Sequence, residues 1–303
     1  MIYVLLKGRI GNQLFMYALA RKISIETGQK IVFNDASVIK KNWKNSLMEY
    51  NLKNVDYEHK DNIIVAFKYG IVKQYIMYKA YHYMVRKKNF REIEKIEEKI
   101  RNLYNKNGII ACQNGYKDYN LECNAKNIIL DGYFQSESYF NSVRNDILKE
   151  INVLDSDLKK YPNYEKIQNS NSVCISIKVE HNVGSGLYDV CSIDYWKKAI
   201  EYIKTKVENP LFFVCSDDVD FVKQNLIDCD KYEVVTQSRQ ESVVNSLAVM
   251  AKCKHFIIGN TTFGWWAQYL SENQDKIVVA PSRWMNVDMP IDIYENFWHL
   301  IQV

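Results

Sequence analysis

Within residues 171–183, NSVCISIKVEHNV, an apolar run is interrupted by Lys178, and Glu180 and His181 follow at once. A cation, a carboxylate and an imidazole packed into one strand end are the side chains that charge stabilisation and proton transfer call for. A second reactive-looking stretch is GRIGNQ at residues 8–13. Gly8 and Gly11 let backbone approach a ligand closely, and Asn12 and Gln13 open a helix whose first N–H groups favour an anion. Arg9 adds a cation at the same edge. Asn260, Thr261 and Thr262 stand between an apolar run and a helical one, where hydroxyl and N–H groups can hold an anion in the same way. A threonine there also serves as an ordinary helix cap. Asp218-Val219-Asp220 is a literal DxD, a pattern that can hold Mg²⁺ or Mn²⁺, but it falls in the first turn of an evident helix, where the dipole alone favours acidic groups. Trp265 and Trp266 recur with Phe263 inside a helix and read as core.

Strands and helices must hold these loops. IYVLL (2–6) reads as a buried strand, NQLFMYALARKISIET (12–27) as a helix closed by Gly28, and IVFND (31–35) as a second strand. That order is a βαβ opening. Residues 71–106 have a long helical pattern rich in Tyr and Lys, and NIILDGYFQSESYF (127–140) is a strand that enters a loop and then a helix. A second series begins near residue 171. Its strands are VCISI, LFFVC, YEVVT, HFIIG and KIVVA, alternating with helices over 193–206, from Asp217, over 241–253 and from Thr261. Alternation of this kind implies two parallel-sheet α/β domains, expected at 1–155 and 156–303, with a basic helical insert at about 60–110. Ligands of open α/β sheets bind at the carboxyl ends of the strands, so two such domains facing a cleft would gather these loops in one site.

Composition narrows the class. The 303 residues are 47% hydrophobic and 25% charged with a net charge of +4, which suits globular domains and implies no polyanion partner. Seven cysteines (Cys112, Cys123, Cys174, Cys191, Cys215, Cys229, Cys253) are an odd number without a CxxC pair, and several lie in apolar runs. A reduced cytoplasmic protein fits better than a disulfide framework or a zinc site. No apolar run approaches the ~20 residues of a membrane span, and MIYVLLKGRIGNQ does not read as a signal peptide. The sequon at Asn260 is accordingly expected to be structural.

The segments GRIGNQLFMYALA (8–20), GYFQSESYF (132–140), CSIDYWKKAIEYI (191–203), FFVCSDD (212–218) and CKHFIIGNTTFGWW (253–266) occur in that order. Together the sequence resembles glycosyltransferase family 11, the α-1,2-fucosyltransferases that use GDP-fucose. The resemblance spans the chain except residues 40–125. It implies a GT-B fold of two Rossmann-like domains, inverting chemistry, no cofactor and no metal. It further implies an acceptor-side first domain and a second domain that binds the GDP-sugar, with Asn260, Thr261, Thr262 and Phe263 at the donor. Gly8, Arg9, Gly11 and Gln13 are carried with them, and Asn12 with the catalytic group. Ser216 and Asp217 end a strand where a carboxylate can accept hydrogen bonds from a guanine edge or a ribose.

One departure stands out. The family's HxRRxD pattern falls on Ser176, Lys178, Val179 and His181. Lys178 keeps a cation for the departing diphosphate but not the planar fork of an arginine. Candidates for the base that deprotonates the acceptor are Glu180, His181 and Asp35. The expected activity is galactoside α-1,2-fucosyl transfer in surface polysaccharide synthesis, with an oligosaccharide or lipid-linked glycan as acceptor. Two alternatives are a different GDP-sugar or acceptor on the same fold, and a transferase-like binding protein without activity. From Lys73 to Lys106 there are ten Lys and Arg against four Glu, 10 − 4 = +6. This insert suits a peripheral contact with anionic lipid at the inner face of a membrane, or it packs its Tyr face and solvates its Lys face. No nucleic-acid module is recognisable.

Overall fold

The computed structural model describes residues 1–121, 125–182, 184–225, 233–236 and 242–303. Cys123, Cys229 and the starts of the expected elements at 232 and 241 lie outside the described residues. The chain divides into two compact units, 1–151 with 288–294, and 152–287 with 295–303. The short return of 288–294 to the first unit is not announced by any compositional shift.

The first unit contains β1 (Ile2–Leu5), α1 (Ile10–Thr27), β2 (Ile31–Asn34), α2 (Ala36–Ile39), β3 (Val55–Glu58), α3 (Asn62–Lys68), α4 (Val72–Val85), α5 (Phe90–Lys106), β4 (Ile109–Cys112), β5 (Ile128–Gly132) and α6 (Arg144–Glu150). Its five strands run in the order β3-β2-β1-β5-β4, every pairing parallel. β1 is central because Ile2, Tyr3, Val4 and Leu5 are all buried, as a strand covered on both faces requires. α1 buries Leu14, Phe15, Met16, Tyr17, Ala18 and Leu19 in succession, so it is enclosed nearly all round. Glu150 on α6 closes that side by accepting from Tyr17 Oη and from Arg21 at 2.6–3.0 Å. The insert is helical, as its periodicity predicts. Its Tyr face packs on the sheet, Val65, Ile71, Tyr81 and Tyr104 lying with Tyr3, Val32 and Ile129.

The second unit contains α7 (Asp155–Leu158), α8 (Tyr164–Asn169), β6 (Asn171–Ile177), α9 (Val179–Asn182), α10 (Ile193–Lys204), β7 (Pro210–Ser216), α11 (Val219–Asn225), β8 (Glu233–Thr236), α12 (Val243–Ala251), β9 (His255–Ile258), α13 (Thr262–Leu270), β10 (Val278–Pro281) and β11 (His299–Ile301). Its six strands run β11-β10-β9-β6-β7-β8, again all parallel. One face is filled by Tyr195, Trp196, Ala199, Ile200 and Ile203 of α10 against Val173, Ile175, Val214 and Ile257. Trp265 and Trp266 are fully buried and pack on Tyr269 at 4.9 and 5.1 Å, so they are core, as the helical spacing implies. The five described cysteines are free thiols and all buried. No helix among the described residues is long and apolar enough to cross a membrane.

Candidate functional site

Ligands of open α/β sheets bind beyond the carboxyl ends of the strands, and most often where the strand order reverses. In the first unit a crevice lies beyond the carboxyl ends of β1, β2 and β5, where residues of the loops that follow them line one cavity. Gly8 follows β1 with φ of +69°, and a Cβ there would come within 2.3 Å of Asn12 Nδ2. Only glycine fits both the left-handed backbone and the close approach. The turn delivers Arg9 as the residue before α1, its guanidinium 5.8 Å from the Trp43 ring. No acidic side chain occupies the first turn of α1, which leaves the helix end favourable to an anion. Gly11 is buried in that turn, and Asn12 Oδ1 accepts from Gln135 Nε2 at 2.8 Å. Gln13 points inward. It is fully buried, donates to the carbonyls of Gly8 at 3.0 Å and Lys44 at 2.9 Å, and accepts from the Ser46 N–H at 2.9 Å. It is therefore a strut that fixes the glycine loop, with no donor left to reach a ligand.

Beside this loop lies a cavity of about 180 Å³ lined by Leu5, Lys7, Gly8, Asn34, Ser37, Lys41, Trp43, Asn62, Tyr78 and Tyr133. Aromatic faces with amides, a hydroxyl and two ammonium groups are what a saccharide needs for stacking and hydrogen bonding. The Lys7 ammonium is held by Asp131 at 2.5 Å, and His82 Nε2 is 2.7 Å from the other carboxylate oxygen. Burial alone would raise the Asp131 carboxyl, yet the Lys7 charge and the His82 hydrogen bond outweigh it and hold the group at about 2. Asp35 is likewise buried, with His59 Nδ1 at 2.7 Å and Asn45 Nδ2 at 2.9 Å on its two oxygens. Both carboxylates are committed to protein partners. Asp131 and the aromatic lining escape sequence reasoning, since a lone Asp in LDGYF and tyrosines 55 positions apart carry no spacing signal.

The second crevice opens between β6 and β9, with β7 and β8 on one side and β10 and β11 on the other. Lys178 leaves β6 here, its side chain 21% exposed and its Nζ 3.9 Å from Glu180. α9 starts at the next residue, and Asp217, off the end of β7, closes its first turn. The carboxylate accepts from the N–H of Val179 at 2.7 Å and of Glu180 at 3.3 Å. Asp217 thus supports the lysine loop, and the amides at the start of α9 are already used. The His181 side chain lies outside the described residues. Ser216 Oγ accepts from Asp218 N–H at 3.1 Å, and Asp218 Oδ1 accepts from Phe221 N–H at 3.0 Å. The DxD is the cap and first turn of α11.

On the β9 side, Asn260 is buried and donates to the carbonyls of Tyr188 at 3.1 Å and Trp284 at 2.8 Å, so it ties two loops together. Burial also removes it as a glycosylation acceptor. Thr261 caps α13 through Gly264 N–H at 3.2 Å. A Cβ on Gly264 would meet Ser176 Oγ at 3.0 Å and Ile258 Cβ at 3.2 Å, so glycine brings α13 hard against β6 and β9. Thr262 and Phe263 are half-buried and begin the helix; their N–H groups have no protein partner among the described residues. With no acidic residue in that turn, they and the helix dipole offer an anion site one strand away from Lys178.

Two units, each built on an all-parallel sheet flanked by helices, are the components of the GT-B fold. Solved structures agree on the fold. The fucosyltransferase NodZ from Bradyrhizobium superposes with a TM-score of 0.53 at 12% identity over 95% of this chain and 99% of that one. NodZ α-1,6-fucosyltransferase soaked with GDP-fucose gives 0.52 at 12% identity over the same shares. Residues 1–302 match the model of Glycosyl transferase family 11, and the chain belongs to that family. It is 26% identical to the O-antigen biosynthesis glycosyltransferase WbnK of Escherichia coli, over 93% of this chain and 94% of that protein. It is 27% identical to an Escherichia coli alpha-1,2-colitosyltransferase over 50% of this chain and 54% of that one. Against the bovine (Bos taurus) galactoside 2-alpha-L-fucosyltransferase SEC1 the figures are 26%, 47% and 42%. The protein is a glycosyltransferase of the fucosyltransferase-like kind.

Proposed function

We propose that the protein transfers fucose, with inversion and without a metal ion, from GDP-fucose to O-2 of a galactoside during assembly of a surface polysaccharide. The observation that carries this reading is the unpartnered pair of N–H groups at Thr262 and Phe263, at the start of the helix that follows β9, the strand paired with β6, after which Lys178 comes. The acceptor oxygen attacks the anomeric carbon, the bond from that carbon to the diphosphate oxygen breaks, and the acceptor's proton passes to a base. Lys178 and the α13 amides meet the negative charge that develops on GDP. Asp35 is a poor base, because both its oxygens are held by His59 and Asn45. Glu180, a carboxylate exposed beside Lys178, is the base in this reading. The cavity beside Gly8 takes the acceptor sugar, with Trp43, Tyr78 and Tyr133 as its stacking walls. Family membership and the near full-length relation to an O-antigen biosynthesis glycosyltransferase support the polysaccharide role.

A second reading, another deoxy sugar as donor, is favoured by the colitosyltransferase relative and by Val179 and His181 at positions where the family pattern has an arginine and an acid. Incubation with GDP-fucose and a panel of galactosides, followed by GDP release and product linkage, separates the two. A 1→2-linked fucosyl product supports the first. No product, with thermal stabilisation by another GDP-sugar but not by GDP-fucose, supports the second.

A further inference from the structure

The helices between β3 and β4 have two unlike faces. Inward, they cover the sheet and supply Asn62 and Tyr78 to the cavity. Outward, α3 exposes Ile63, Ile64 and Phe67, the last at 69%, and α4 exposes Ile76 at 62% and Tyr83 at 79%. Along α4, Lys73, Ile76, Ala80 and Tyr83 recur at helical spacing and form one stripe. Water-facing side chains of this size do not stabilise the fold, and their grouping on two adjoining helices marks a contact surface.

Charge says what the surface meets. Residues 60–88 hold seven Lys and Arg and one acidic residue, Asp61, 7 − 1 = +6, against +4 for the whole chain. Asp61 is itself bridged by Lys40 at 2.5 Å. Lys73, Lys79, Arg86 and Lys87 form no ion pair among the described residues, whereas Lys88 is bridged to Glu92 and Arg91 to Glu94 and Asp288 at the start of α5. The basic surface is therefore α3–α4 and the turn after it, and α5 is a mixed-charge helix. A nucleic acid would satisfy the cations and leave Phe67 and Ile76 in water. An anionic bilayer satisfies both, since aromatic and aliphatic side chains enter the headgroup region while lysines meet lipid phosphates.

We propose that the outer face of α3 and α4 docks the protein on a membrane of anionic lipid, through Phe67, Ile76 and Tyr83 flanked by Lys73, Lys79 and Lys87. The inference stands independently of which sugar is transferred. Docking of this kind would hold the cavity on the inner side of the same two helices near the surface where a lipid-linked saccharide lies.

Sedimentation of the full chain with phosphatidylglycerol-containing vesicles, and with pure phosphatidylcholine vesicles, tests it. Binding is expected to the anionic vesicles alone and to fall as salt screens the charges. Lys73→Glu with Lys79→Glu is expected to weaken partitioning at least about tenfold. Phe67→Ser with Tyr83→Ser should weaken it similarly at unchanged charge. The same charge change on α5, Lys95→Glu with Lys99→Glu, should alter it by less than about twofold. Unchanged thermal midpoints establish that the variants are folded, and the lipid and salt dependence of the wild type needs no variant. No binding at low salt, equal binding to both lipids, or an equal loss in the α5 variant overturns the proposal. So does binding of a homopolymeric RNA that survives Phe67→Ser with Tyr83→Ser while vesicle binding is absent.

Discussion

The glycine loop after β1 and the lysine loop after β6 occupy equivalent places, each at the carboxyl end of a central strand of its sheet. They are built differently. Around Gly8 the polar side chains of the motif turn inward, with Gln13 holding three backbone groups, and the surfaces left open belong to Trp43, Tyr78 and Tyr133. Around Lys178 the backbone of α9 is closed by Asp217, the ammonium stands 3.9 Å from Glu180, and the open groups are the first amides of α13. A motif residue at a strand end can thus be a scaffold or a ligand, and burial with hydrogen-bond accounting tells which.

That contrast breaks most visibly at Lys178. Lys178→Ala should lower kcat about a hundredfold, roughly 3 kcal/mol of lost leaving-group stabilisation, and Lys178→Arg should retain most of the rate. Steady-state kinetics with GDP-fucose measures both, and a fall in thermal stability without a fall in kcat would make Lys178 a scaffold too. Gln13→Ala should act the other way. Losing a fully buried side chain that makes three hydrogen bonds costs about 2–3 kcal/mol in a denaturant titration, while donor affinity in the folded fraction stays within about twofold. A large rise in donor KM with normal stability would return Gln13 to the ligand side.

The smallest effect concerns the support of the first crevice. Asp131 titrates at about 2 when folded and at its ordinary 3.8 when unfolded, so the unfolded chain binds the extra proton. Its contribution is fully present above about pH 4 and is lost as pH falls toward 2. The size is about 2 kcal/mol, trimmed because Lys7 and His82 are partly exposed. Asp131→Asn should flatten that part of the stability profile. A wild-type profile with no loss below pH 4 would detach Asp131 from the support of Lys7.

Much of the architecture was legible in the sequence because apolar runs alternate cleanly with helical periods from Ile2 to Asn34 and from Asn171 to Pro281. β3, β4 and β11 were not, since VDYE, IIAC and HLI are three or four residues long at sheet edges, where polar side chains are tolerated and no periodicity develops. The site loops were legible as places, because glycines and strand ends mark them. Which atoms face outward was not. Gln13 and Asn260 are polar types that sequence places at a ligand, and tertiary hydrogen bonds bury both. His59 and His82 read as isolated residues until the fold brings them to Asp35 and Asp131.

The return of residues 288–294 has a consequence for how the protein is made. Asp292 accepts from Ser136 at 2.6 Å, Asp288 pairs with Arg91 at 2.7 Å, and Pro290 lies against Gly115. These partners of the first unit are synthesised only after nearly all of the second. On the ribosome the first unit can therefore collapse early but completes itself last, so a ribosome that stalls inside the second leaves it without its closing strap.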